Sequence, residues 1–456
     1  MVQIKDLISE KAYERLFQLW FLCFPFGAGF LAFSLVFFTI YPFLLLSGVL
    51  FVLTLFFRPL RMDKFYFIVL GFWGFWLAYG LLRLFVPPVI NFKDAIFDLR
   101  SLFMFLLTVY IVFQSVKILS WEKFKKNIAD LSLALFTVFT IIGFFEFFTG
   151  IHLFGMHTLK IVDQPVSNFT YAPVFIFDNP NNFVTYYILL SLFLILFNEK
   201  INKNTWAMLA LVLLNFFFSY ISDARLGKIS AGLMFIGVVF ISRWKFNIWP
   251  YLLALVFAGL CFLWNPLFYG PMWKDGAKYQ LNELTCIQTD TMLKISSVKA
   301  LTERYSEDTL IAKISAYKKS KGESGNTRMG LIKNGMFLCK QSNFLGVGPG
   351  QYISYHRIKQ VPVDVGTQLS AHCWLFEIFS QYGIIILAGY LAIFLIISVK
   401  ALAKFRATKN MSVVFLMCIL VLFIVSNIPS AFLLLDINWM FTALLLVFYK
   451  NEFSGS

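Results

Sequence analysis

The sequence predicts an all-α, polytopic membrane protein of about twelve transmembrane helices, with a large helical external loop between the ninth and tenth spans. Three observations predict it. Of the 456 residues, 59% are hydrophobic and only 14% charged, with a mean hydropathy of +0.75, which a soluble domain cannot divide into core and solvated surface. Apolar stretches long enough to cross about 30 Å of hydrocarbon, roughly 17 to 25 residues each, recur along the chain. Lys and Arg, which carry the formal charge of +15, sit in short blocks between those stretches rather than on one basic face, a pattern of topology signals and not of a nucleic-acid surface.

The start, Met1 to Arg15, mixes Lys5, Lys11 and Arg15 with acids and feeds an apolar run too long for a cleavable signal, so the first helix is expected to stay as an anchor. Spans are expected near 17–37, 40–57, 65–86, 97–117, 129–149, 182–198, 205–221, 226–243, 247–264, 383–399, 411–427 and 431–449. The Tyr41-Pro42 step divides the nearly unbroken run from Phe17 to Phe57. Blocks with Arg58, Arg61 and Lys64, with Lys117, Lys123, Lys125 and Lys126, with Lys200 and Lys203, with Arg243 and Lys245, and with Lys400, Lys404, Arg406 and Lys409 then fall on one side. Both termini share that side, and its excess of positive charge makes it cytoplasmic.

The segment near Asn265 to Ser370 is also rich in Lys and Arg, but long translocated segments are exempt from the charge rule, so it is placed outside. The organisation is therefore spans one to nine over 1–264, an external loop domain over 265–382, and spans ten to twelve with a cytoplasmic C-terminus over 383–456. Within the loop, Thr291 to Lys319 reads as one or two polar amphipathic helices, and Thr327 to Lys340 as another with Met329, Ile332, Met336 and Phe337 on its apolar side. The stretch Leu345-Gly346-Val347-Gly348-Pro349-Gly350 ends that helix in a tight bend. Of six cysteines, Cys23, Cys261 and Cys418 lie in apolar spans, while Cys286, Cys339 and Cys373 lie in or beside the loop. A bridge between Cys286 and Cys339 requires an oxidising exterior.

The four histidines, His152, His157, His356 and His372, all fall on the external side, so any acid–base chemistry is expected there. His372 stands where the loop re-enters the membrane, within reach of a lipid-linked substrate; the plainer reading is an interfacial imidazole that tolerates water and headgroups. Arg225, in Ser222-Asp223-Ala224-Arg225-Leu226-Gly227-Lys228, lies at an external edge. A guanidinium there grips phosphate oxygens in bidentate fashion, or snorkels and pairs with Asp223. Arg83 and Arg100 lie inside the external ends of their spans, where charge is costly, which fits an anionic lipid-attached substrate. Arg328 heads a loop helix, where a cation opposes the macrodipole, although a solvated loop Arg is the commoner case. His152 and His157 lack the partners of a metal motif, Walker, GxGxxG and HExxH patterns are absent, and no metal or cofactor is expected.

Taken in order, these residues form a recognisable series: Pro180-Asn181-Asn182 opening a span, the Ser-Asp-Ala-Arg-Leu-Gly edge, Thr327-Arg328, the Gly-rich turn with Gln351-Tyr352, then His372 ahead of Tyr382-Gly383. The series resembles the O-antigen ligase and O-antigen polymerase superfamily over residues 178–395. The resemblance implies a bacterial inner-membrane glycosyltransferase that moves glycan from an undecaprenyl diphosphate donor to an acceptor sugar hydroxyl on the periplasmic or external face. It implies inversion without a metal, and other polysaccharide-assembly membrane proteins as partners. By the family's pattern Arg225 and Arg328 hold the donor diphosphate, with Arg100 and Lys228 as further candidates, and His372 activates the acceptor. His356, near the Gly-rich turn, is the competing base. The family usually has Asn after its loop histidine, where this chain has Cys373. Polymerisation of repeat units is the first expectation; transfer of a finished glycan to a lipid, wall or protein acceptor is the alternative, and a non-enzymatic transporter of lipid-linked oligosaccharide is the alternative of another class.

Overall fold

A computed structural model of the chain describes residues 9–29, 33–35, 38–57, 63–86, 89–149, 172–177, 180–222, 224–241, 252, 256, 327–366, 369–428 and 436–454. His152, His157, Asn179, Asp223, Cys286, the amphipathic stretch 291–319 and nearly all of the expected span 247–264 lie outside the described residues.

Among the described residues the elements are helical apart from one short hairpin. They run α1 (Glu10–Cys23), β1 (Phe33–Leu35), β2 (Phe38–Ile40), α2 (Pro42–Phe57), α3 (Lys64–Arg83), α4 (Phe92–Leu119), α5 (Trp121–Thr149), α6 (Pro180–Phe197), α7 (Glu199–Asn202), α8 (Thr205–Ile221) and α9 (Arg225–Ile241). They continue with α10 (327–341), α11 (Gln351–Arg357), α12 (Trp374–Ala403), α13 (Lys409–Val425) and α14 (Asp436–Glu452). Among the described residues five helices, α3, α4, α5, α6 and α12, are long and apolar enough to cross a membrane. The protein is multi-pass.

Capping side chains set several helix starts. Ser9 accepts from Ala12 N–H at 3.2 Å, Asp63 from Tyr66 N–H at 3.1 Å, and Asn91 and Asn204 each from two amides of the following turn. The expected first span, 17–37, is corrected. The helix stops at Cys23 and passes into a 3₁₀ turn over Phe24–Gly29, because Pro25, Gly27 and Gly29 are poor helix formers in sequence. An antiparallel hairpin follows, with Phe33 opposite Ile40 and Leu35 opposite Phe38, before α2 opens at Pro42.

The chain divides into two compact units: residues 1–133, 192–202 and 327–456 in one, and 134–191 with 203–326 in the other. In the first, α3, α4, α12 and α14 meet around Trp76, whose ring lies 5.5 Å from Tyr382, 6.0 Å from Tyr390 and 6.1 Å from Trp439, while Trp439 packs on Phe105 at 4.2 Å. One end of α3 and α4 gathers the charge blocks. Lys123 pairs with Glu10 and Glu14, Lys125 with Glu199, and Lys450 with Asp63. The opposite end, about 30 Å away along the 20 residues of α3, carries the α3–α4 connection and receives the chain from 344 to 351.

In the second unit α8 and α9 form a close hairpin. A Cβ on Gly227 would lie 2.6 Å from Ser219 Oγ and 2.9 Å from Val184, so only glycine admits that approach. Asn215 is fully buried and its Nδ2 donates to Ser191 Oγ and to Leu211 O, both at 2.7 Å. The Glu146 carboxylate accepts the Val174 and Phe175 amides at 2.7 and 2.9 Å and so pins the segment that leads to α6.

Candidate functional site

The site in the first unit is built from a backbone zipper. Gly383, with φ 76° and ψ −175°, breaks α12, which releases carbonyls just before it from their intrahelical bonds. Val347 N–H donates to Ser380 O at 2.8 Å and Gly348 N–H to Gln381 O at 2.9 Å, while Ile384 N–H donates to Phe344 O at 2.9 Å. The Gly-rich turn thus repairs the broken helix. Its remaining amides are also engaged: Gly346 N–H on Ser342 Oγ at 3.0 Å and Gly350 N–H on Asp98 Oδ2 at 2.8 Å. A turn whose amides are spent internally is not the anion-binding nest that its glycines suggest.

The far side of the turn is strapped to the start of α4. The Gly350 backbone lies against Asp94, where a Cβ would stand 2.3 Å from its carbonyl. Gln351, fully buried, accepts from Ile90 N–H at 2.8 Å and donates to Asn91 O at 3.2 Å, replacing a peptide in the α3–α4 connection. Asp94 receives Ser354 Oγ at 3.0 Å and the Arg357 guanidinium, Arg83 donates to Gly346 O, and Tyr79 OH donates to Leu345 O at 2.6 Å.

On this frame sit Arg328 and His372. Arg328 is exposed in the first turn of α10. The buried side of α10 is not the apolar stripe expected from sequence: Met329 and Phe337 are 54% and 40% exposed, while Leu331, Asn334, Gly335 and Leu338 face inward. The reason is steric. Gly335 leaves room for Phe376 and Tyr352, at 3.5 and 3.6 Å from where its Cβ would be, so Gly335 and Asn334 join Leu331 and Leu338 in the seam. His372 is half-buried, with φ 49°, two residues before α12, a left-handed conformation that costs a non-glycine residue energy and so is suggestive at a site. Burial first, and then the positive charge of Arg328, push its imidazole down to about 4. The two groups are therefore within electrostatic reach of each other.

His356 is different. It is 5% exposed, its Nδ1 lies 2.8 Å from Tyr352 O and its Nε2 3.0 Å from Asn334 Nδ2, so both ring nitrogens are engaged within the protein. Arg100 is half-buried over the Phe97 ring at 5.1 Å, and its charge acts on Asp436 at the start of α14. Arg225 and Lys228 belong to the second unit, in the first turn of α9, where Arg225 is exposed and Lys228 Nζ lies 4.7 Å over the Tyr220 ring. Cys339, fully buried, is free, and Cys373 occupies the N-cap of α12, the place of the Asn usual in the series described above.

The residues that sequence reasoning did not single out are Asp98 and Asn334, while Gln351 was named in the series without a role. Asp98 carried a readable signal, an acid inside an apolar span. Asn334 carried none, and the role of Gln351 was hidden, because each acts on backbone groups distant in sequence.

Residues 207–391 match the family model described as O-antigen ligase. The chain is 25% identical over 390 residues to the teichuronic acid biosynthesis protein TuaE of Bacillus subtilis (strain 168), an alignment that covers 83% of this chain and 70% of that relative. No solved structure matches.

Proposed function

We propose that this chain, whose matches bear out its resemblance to the O-antigen ligase and polymerase superfamily, is a metal-independent, inverting glycosyltransferase that uses an undecaprenyl diphosphate-linked glycan. What supports the reading is the half-buried His372, whose imidazole is pushed down by burial and by the charge of Arg328, on a frame tied to the ends of membrane helices. In this reading Arg328 and Arg225 hold the diphosphate, with Lys228 beside Arg225. A diphosphate leaving group gains charge as the glycosidic bond breaks, so fixed guanidinium groups stabilise the transition state more than the ground state. His372 takes the proton of the acceptor hydroxyl as the new bond forms. Arg100 is a further candidate for the diphosphate, and its charge also acts on Asp436.

The membrane is the bacterial inner membrane, both termini are cytoplasmic, and the site opens to the periplasm or exterior. The product is a lengthened polysaccharide, and a relative named for teichuronic acid biosynthesis supports polysaccharide assembly as the setting. Incubating the purified protein with a synthetic undecaprenyl diphosphate glycan tests this. A ladder of masses supports polymerisation, a one-step adduct on an added acceptor supports ligation, and unchanged transfer by His372→Ala removes the proposed base.

A further inference from the structure

Asn334 is fully buried on α10, and its carboxamide is matched to the backbone of Val363 at both ends: Nδ2 donates to Val363 O at 2.8 Å, and Oδ1 accepts Val363 N–H at 3.0 Å. That double contact fixes which end of the amide is nitrogen. The second N–H of Nδ2 is then left for His356 Nε2 at 3.0 Å, so Nε2 accepts, the ring proton resides on Nδ1, and Nδ1–H donates to Tyr352 O at 2.8 Å. The network admits only the neutral imidazole. One helical turn nearer Arg328, Tyr352 OH donates to Leu331 O at 2.9 Å, with its ring 4.4 Å from that of His356. Tyr352 and His356 therefore grip α10 at two points, three and six residues after Arg328, and α11 is itself fastened to α4 through Gly350, Gln351 and Ser354.

We propose that His356 is a positioning residue, a neutral strut that holds the Arg328 end of α10 against α11, and that its protonation releases that end. The consequence for donor binding rests on the reading of Arg328 given above; the strut does not. Protonation would aim an Nε2–H at an Asn334 N–H that cannot turn away, setting donor against donor. The charged and titratable groups on the surrounding elements are Tyr352 and Arg357 on α11, Lys359 after it, Lys333 on α10, Asp364 beside Val363, and Glu377 on α12, which acts on Tyr352. Arg357 is drawn to Asp94 and Lys359 to Asp364 at 3.5 Å. Burial lowers the proton affinity of His356, with the Tyr352 carbonyl pulling the other way. Because the proton is bound less readily in the gripped state, the grip is complete above the ordinary histidine range and weakens as pH falls through it.

The test is hydrogen–deuterium exchange of the full-length protein in nanodiscs, corrected for intrinsic rate, over 327–341, with α13 as the reference. In the native protein, exchange over 327–341 should rise on acidification to about pH 5, and His356→Ala should raise it about tenfold already at neutral pH, the cost of one lost buried hydrogen bond. His356→Gln keeps an acceptor for Asn334 and should remain protected at both pH values. Asn334→Asp, which prefers a protonated Nε2, should shift the loosening to lower pH. Exchange over 327–341 that ignores both pH and His356→Ala overturns the strut, as does loosening spread equally over α13. In turnover, loosening should lower kcat together with kcat/KM for the donor, because the contact released is one that strengthens in the transition state. If the exchange results hold while Arg328→Ala leaves donor use untouched, the strut stands and the assignment of Arg328 fails.

Discussion

Gly346 and Gly383 meet backbone to backbone: a Cβ on Gly346 would lie 2.6 Å from Gly383 N, and one on Gly383 would lie 2.4 Å from Phe344 O. Both also have positive φ, 82° and 76°. Alanine at either position should therefore meet steric overlap as well as conformational strain and lower stability by about 2 kcal/mol or more. Gly366, also at positive φ but with nothing within 4 Å, is the control, with an expected cost of roughly 1–2 kcal/mol. Thermal unfolding in detergent compares the three; equal losses would show that the close approach is unimportant.

The pH dependence follows from His372 beside Arg328. A base held down to about 4 is already neutral in the free protein across the physiological range. A bound diphosphate would offset the Arg328 charge and raise the imidazole pKa in the complex. The acid limb of kcat should accordingly lie at higher pH than that of kcat/KM, which reports the free protein. Arg328→Gln should raise the free-protein value, readable by NMR titration of the imidazole.

Arg328→Ala and Arg225→Ala should each reduce kcat/KM for a lipid diphosphate donor by about 10²-fold, the scale for loss of one transition-state donor. Arg100→Ala should lower kcat/KM for the donor if Arg100 also holds the diphosphate, and should lower stability alone if its charge serves only Asp436. Donor titrations with each purified variant separate the two outcomes.

Asp98 is 5% exposed and holds both the Gly350 amide and the Gln381 side chain. Asp98→Ala should cost about 1–3 kcal/mol by leaving those groups without a partner, whereas Asp98→Asn, which can accept from Gly350 and turn its other end to Gln381, should cost less. Equal thermal shifts would argue that the carboxylate is not the tie.

Cys373 occupies the N-cap of α12 with a thiol, a weak acceptor. Cys373→Asn should stabilise the start of that helix by about 1 kcal/mol, measured as a rise in unfolding temperature.

Much of the frame was legible because membrane helices announce themselves by length and apolarity. The stretch 205–221 coincides with α8, and the expected restart at 383 falls on the Gly383 break. The run from Phe17 misled because hydrophobicity alone does not register the weak helix formers at Pro25, Gly27 and Gly29. The histidine–arginine pair was legible as an order of residues, and the buried side of α10 was not: its stripe of Met329 and Phe337 reads as a core face, while the seam is made by Asn334 and Gly335 to suit partners far along the chain. The engagement of His356 on both nitrogens was likewise invisible, since Asn334 and Val363 that fix it lie 22 and 7 residues away.

The carbonyls of Ser380 and Gln381 carry a consequence for biogenesis. Until residues 347 and 348 pair with them, the segment of α12 ahead of Gly383 would present bare peptide groups, so its stable packing depends on the Gly-rich turn. Cells making a version that lacks the turn should accumulate an immature, protease-sensitive species instead of a merely inactive one.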